Sequence, residues 1–107
     1  MFLINFFNKF EFYILHEMVN AALQCFYFDI GDTTPKDQKI TILNKIKKSF
    51  EFDSKLYFTK EEFDIVKECV KETLKYLDED EFHTWLGAEP DEVYKVRDLI
   101  MSIEISK

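Results

Sequence analysis

Glycine and proline are nearly missing from this chain, with two of each in 107 residues. So few turn-formers cannot punctuate a sandwich or barrel of many short strands, and they favour long helices. Cysteine is as sparse. Cys25 and Cys69 stand 44 positions apart in apolar-flanked helical patterns, and they read as buried reduced thiols rather than a disulfide framework. The apolar opening, MFLINFFNKFEFYIL, is interrupted by Lys9 and Glu11. It lacks a basic n-region and a small-residue cleavage site, so it reads as neither signal peptide nor transmembrane helix. The expected compartment is the cytoplasm.

Catalytic motifs are equally scarce. There is no Gly-x-Ser-x-Gly, no glycine-rich phosphate loop, and no cysteine beside a histidine. The two histidines, His16 and His83, form no finger-like pair with Cys25 and Cys69. A calcium loop starting at Asp78 would place His83 where glycine must turn and Phe82 where an oxygen ligand belongs. No enzyme, metal or cofactor is expected.

What the chain does have is apolar bulk and acid. Apolar residues make up 47% and charged residues 33%, the balance of a globular domain rather than a disordered one. Its length suits a single domain over residues 1–107. The net charge of −7 is uneven. Residues 1–50 carry six lysines against five acids, while residues 51–107 carry eight basic groups against sixteen acids. The C-terminal half would repel nucleic acid and anionic membrane and attract a basic protein.

Periodicity predicts a mainly α domain of four or five helices around one core. The plainest helix follows a capping box at Thr59 and Glu62, with Phe63, Val66, Val70, Leu74 and Leu77 on one stripe. An earlier helix has Thr34 as its cap, Pro35 at its first position and Asp37 in its first turn, and carries Ile40, Leu43, Ile46 and Phe50. EFDSKLY then reads as a connector or short extended piece. Asp78 caps a short helix over Glu79–Leu86, closed by Gly87. Pro90 opens the last helix, striped by Val93, Val96, Ile100 and Ile103. In the first thirty residues, Leu3, Phe7, Phe10, Ile14, Met18, Ala21 and Cys25 keep a helical rhythm, predicting one helix from about residue 5 to 27. KFEFYIL and CFYFDI also favour strand, so a short strand is the alternative there.

The segment EFHTWLGAEPDEVYKV has the outline of a helix-turn-helix. Its chemistry denies DNA reading. From Asp78 to Glu92 there are seven acids and no Lys or Arg, where bases and phosphates would need cations. The acids have two readings. They can be a solvated corner that stabilises helix starts. They can also ring an anchor of Phe82, His83 and Trp85 as a docking patch. That patch would comprise Asp78, Glu79, Asp80, Glu81, Phe82, His83, Trp85, Glu89, Asp91 and Glu92.

The stretch EEFDIVKECVKETLKYLDEDEFHTWLGAEPDEVYKVRDLI, residues 61–100, resembles small acidic immunity proteins of bacterial toxin–immunity systems. It shares their pattern of a long helix, an acidic break and a second amphipathic helix. The resemblance implies a cytoplasmic binder of a cognate toxin, often a basic nuclease, and it carries over no individual contact residue. The alternative function is a helical adaptor or homo-oligomer that uses the aromatic N-terminal segment as its interface.

Overall fold

The computed structural model describes residues 2–4, 8–24, 33–52 and 55–103. In chain order the elements are β1 (Phe2–Ile4), α1 (Lys9–Gln24), α2 (Lys36–Phe52), β2 (Leu56–Phe58), α3 (Lys60–Tyr76), α4 (Glu79–Leu86) and α5 (Pro90–Ser102). The mainly α expectation holds, with five helices among the described residues.

One device starts four of these helices. A glutamate at the third helical position reaches back to the cap residue's backbone N–H, which has no partner within the helix. Asn8 N donates to Glu11 Oε1 at 2.9 Å, and Glu11 N returns a bond to Asn8 Oδ1 at 2.8 Å. Thr59 N donates to Glu62 Oε1 at 2.8 Å, and Glu62 N to Thr59 Oγ1 at 3.2 Å. Asp78 N donates to Glu81 Oε1 at 3.1 Å, and Glu89 N to Glu92 Oε1 at 3.0 Å. The Asn8 box corrects the predicted start of α1 from about residue 5 to Lys9. The expected extension to residue 27 lies outside the described residues, as do CFYFDI and Cys25.

The short strand expected as an alternative in the N-terminal region does occur, at Phe2–Ile4. It pairs antiparallel with β2, Phe2 opposite Phe58 and Ile4 opposite Leu56. The extended reading of EFDSKLY is realised in β2. KFEFYIL, in contrast, is helical throughout. At α2 the backbone carbonyl of Pro35 accepts from Lys39 N at 3.1 Å. Pro35 therefore occupies the cap position expected of Thr34, and the helix starts one residue later than predicted.

Helix α1 is the hub. It packs against all four other helices and buries Phe12, Ile14, Leu15, Met18, Val19 and Ala22 among others. Near its start, Lys9, Phe10 and Tyr13 are exposed. Facing α1, α3 buries Phe63, Val66, Cys69, Val70 and Thr73. Leu74 is only partly buried, so the inward stripe runs through Thr73. Thr73 Oγ1 donates to the Met18 carbonyl at 2.8 Å, a buried tie between α3 and α1. In α2 the inward residues are Ile42 and Ile46, while Ile40, expected inside, is exposed. Val93, Val96 and Ile100 face inward from α5 as predicted. No described helix is long and apolar enough to cross a membrane.

Lys45 joins α2 to the start of α3, with Nζ 2.6 Å from Glu62 Oε1. Burial pushes the Glu62 carboxyl up. Opposing it are the hydrogen bond from Lys45, that from the Thr59 backbone, the Lys45 charge and the Thr59 side chain, and together they hold it below its ordinary value of 4.5. Folding therefore favours the ionised form. That stabilisation is complete above the unfolded-state value and is lost as pH falls through the lower folded value.

Two measurements check this packing. Leu86, fully buried, should cost about 2–5 kcal/mol on truncation to alanine. The half-buried Leu74→Ala should cost clearly less in the same urea melts, and equal losses would refute the stripe through Thr73. Glu62→Gln should destabilise the protein at neutral pH, with the difference from wild type shrinking as pH is lowered below 4.5. A difference that does not change between pH 7 and pH 3 would deny the ion pair its role.

Candidate acidic docking surface

The acidic corner is built by two short-range signals. Asp78 starts α4, and Gly87 ends it in the left-handed conformation at φ 64°. That conformation is strained for any residue with a Cβ. A Cβ there would also meet the Tyr13 ring at 3.5 Å, an ordinary contact, so backbone conformation rather than space requires the glycine. Glu89 and Pro90 then start α5 within three residues. The first turns of α4 and α5 thus supply all seven acids from residues 78 to 92.

The structure divides the ten expected partner-binding residues. Asp78, Glu79, Asp80, His83, Trp85, Glu89 and Asp91 are exposed. Trp85 leaves 43% of its surface in water, unusual for the only tryptophan of a small domain. Glu81 and Glu92 are half-buried, and each spends Oε1 on its own helix cap. Phe82 does not belong to the surface. It is 1% exposed and meets the Tyr94 ring edge-on at 5.7 Å. A helix of eight residues must bury one face to be held, and Phe82 with Leu86, one turn apart, form that face.

A clamp fixes the two helices to each other. The Tyr94 hydroxyl on α5 donates to Glu79 Oε1 on α4 at 2.8 Å, and the Arg97 guanidinium lies 4.6 Å over the Tyr94 ring. The bond to Glu79 is the main reason that the Tyr94 phenol is raised above its ordinary value of 10.0. Burial and the Glu79 charge add to the rise, and Arg97 opposes it. The contribution to stability is complete below the unfolded-state value and is lost as pH rises through the higher folded one. Tyr94 was missed in the sequence because it sits beside the apolar stripe, with nothing local to mark a partner fifteen positions away.

The other chemically suggestive residues do not assemble. Cys69 is a buried free thiol pushed up to about 12 by burial, then by the charges of Glu68 and Glu72. It is therefore a poor nucleophile. His16 lies against the Phe50 ring at 5.3 Å and 3.4 Å from Glu17 Oε1, on α1. His83 is on the exposed side of α4. Among the described residues, no three His, Cys, Asp or Glu side chains are grouped to hold a metal ion.

No family model matches the chain, and no curated protein or solved structure matches it.

The clamp is open to direct titration. Glu79→Gln should bring the Tyr94 ring resonances to titrate at lower pH than in wild type, followed by NMR with selectively labelled tyrosine. An unchanged titration would place the rise in burial instead of in the bond across the two helices.

Proposed function

We propose that this chain is a non-enzymatic protein-binding inhibitor, an immunity or antitoxin protein that occludes a basic, nuclease-type toxin in the cytoplasm. The observation that carries the reading is the set of exposed carboxylates of Asp78, Glu79, Asp80, Glu89 and Asp91, accompanied by an exposed tryptophan. A wet corner that only stabilised helix starts would need Glu81 and Glu92, which already do that work. It would also use their box partners Asp78 and Glu89, and Glu79 is bonded to Tyr94, but Asp80 and Asp91 take part in no capping box and an indole is left in water. Charge of one sign draws a basic partner and raises the encounter rate. A large, rigid aromatic then supplies a surface that becomes desolvated on contact. The resemblance over residues 61–100 supports the same reading.

In this mechanism the acids meet lysines and arginines that the toxin otherwise uses to grip phosphates. The substrate is excluded by bulk and by competition for charge. The second reading, a homo-oligomer through the aromatic N-terminal face, rests on Phe10 and Tyr13. Their rings stack at 6.4 Å with Phe10 43% exposed.

The test uses the product of the adjacent gene, co-expressed and purified as the complex. The variant Asp78→Asn, Glu79→Gln, Asp80→Asn, Asp91→Asn leaves the capping residues Glu81 and Glu92 intact. It should slow association by about tenfold or more at low salt. Trp85→Ala should speed dissociation and leave association nearly unchanged. An association rate indifferent to both salt and the fourfold change would end the electrostatic reading. Self-association that Phe10→Ser abolishes would then move the interface to α1.

A further inference from the structure

At the edge of the corner, one cavity combines buried charge with an exposed aromatic. It lies between the first turns of α1 and α5, encloses about 100 Å³, and is lined by Asn8, Phe10, Glu11, Ile14, Glu92 and Lys95. Two capping boxes converge on it. Glu11 gives Oε1 to Asn8 N, and Glu92 gives Oε1 to Glu89 N. The second oxygen of Glu11 is the anomaly. The side chain is 8% exposed, and Oε2 is buried with no hydrogen-bond donor. Its cationic neighbour is Lys95 Nζ at 3.2 Å, an ion pair outside hydrogen-bond geometry on a side chain 65% exposed.

A buried carboxylate oxygen without a donor is costly, and an exposed lysine outside hydrogen-bond geometry is a loose answer to it. Charge makes the cavity exchangeable. Two carboxylates stand against two helix N-termini of about +0.5 each. With Lys95 in place the balance is near zero, and with Lys95 withdrawn it is about −1. A guanidinium is a better occupant than an ammonium here. It is planar, weakly hydrated and able to stack on the exposed face of Phe10 while donating to Oε2.

We propose that this cleft is the seat for one arginine side chain of the basic protein partner, with Lys95 as an internal place-holder that the arginine displaces. The seat rests on the reading of the chain as a binder of a basic protein. It extends the docking surface from α4 and α5 onto the start of α1.

The probe is N-acetyl-arginine amide, titrated into the isolated full-length protein and followed by NMR. Saturable shifts should be confined to residues 8–14 and 92–96, and N-acetyl-lysine amide should bind more weakly. Lys95→Met keeps the aliphatic stem and removes the competitor, so it should strengthen arginine binding by about threefold or more, as expected when a self-occupied state is removed. Lys75→Met makes the same charge change on α3 and should leave the affinity unaltered. Glu11→Gln preserves the capping bond, since Gln serves in a capping box, and should abolish the shifts without unfolding the helix. Absence of saturable shifts in Lys95→Met would overturn the seat. So would equal gains in Lys95→Met and Lys75→Met, or a Lys95→Met protein that melts earlier and still binds nothing. In each of those cases the kinetics of the fourfold acid variant still decide the wider binding reading, because that variant leaves Glu11, Glu92 and Lys95 untouched.

Discussion

A carboxylate at the third position of a helix answers a backbone N–H that the helix itself cannot satisfy, and this chain relies on that bond at four helix starts. The constraint shapes everything built on it. With only two glycines and two prolines, the chain has few other means of fixing where helices begin. Each cap is worth about 1 kcal/mol, small against the burial of a core but decisive for register. A helix that started one residue earlier would rotate its apolar stripe by about 100°. The same four glutamates also set the electrostatics. Glu11, Glu62, Glu81 and Glu92 each commit one oxygen locally, so the formal charge of −7 overstates the acid available to a partner.

Helix α1 then organises the core. Residues Glu11, Ile14, Leu15, Met18 and Ala22 form one buried line, and Phe12, Val19 and Leu23 a second. Together they cover more than the single stripe of a surface helix. A helix buried so widely could slide or rotate among equivalent apolar surroundings. The Thr73 hydroxyl on the Met18 carbonyl opposes that. Such a bond contributes only about 0.5–1.5 kcal/mol net, but leaving its buried partners unpaired would cost about 1–3 kcal/mol. Misregister is therefore penalised more strongly than correct packing is rewarded. Lys45 on Glu62 plays a similar part between α2 and α3, from a position closer to water.

Much of this was legible in the sequence, for reasons tied to range. The Thr59 and Asp78 caps, Gly87, Pro90 and the α5 residues Val93, Val96 and Ile100 are signals read within four residues, and each appears in the structure where expected, whereas Ile103, expected on the same stripe, lies just past the helix as its C-cap. The failures arise where one helix has two plausible faces. In α2, Ile40 and Ile42 are both apolar and stand two positions apart, so only the tertiary contact chooses Ile42. In α3, the hydrophobic rhythm ran to Leu74, whereas the polar Thr73 is the buried residue because Met18 offers its hydroxyl a partner. At the chain start, the Asn8–Glu11 box was hidden inside an apolar rhythm that ran straight through it. Phe82 was misplaced for a related reason. Its acidic neighbours marked the region as surface, but a two-turn helix has to bury one side, and the Tyr94 ring was waiting on another helix.

The two surfaces that the sequence presents as rivals, the acidic corner and the aromatic N-terminal segment, are joined in space. Glu92 of α5 and Phe10 of α1 line one cavity, and Gly87 at the end of α4 lies against Tyr13 of α1. The joining follows from the hub: α1 contacts both α4 and α5, so its exposed edge must emerge beside their first and last turns. Aromatic groups on such an edge are screened from one side by the protein and from the other by water. Neighbouring carboxylates raise the local concentration of basic chains without binding them tightly, since exposed ion pairs are weak. Tight binding needs desolvated contact, and the groups that can supply it here are Trp85, Phe10 and Tyr13. In the proposed binding mode, attraction and adhesion fall to different residues on adjoining faces, so that encounter rate responds to salt while complex lifetime responds to the aromatic rings.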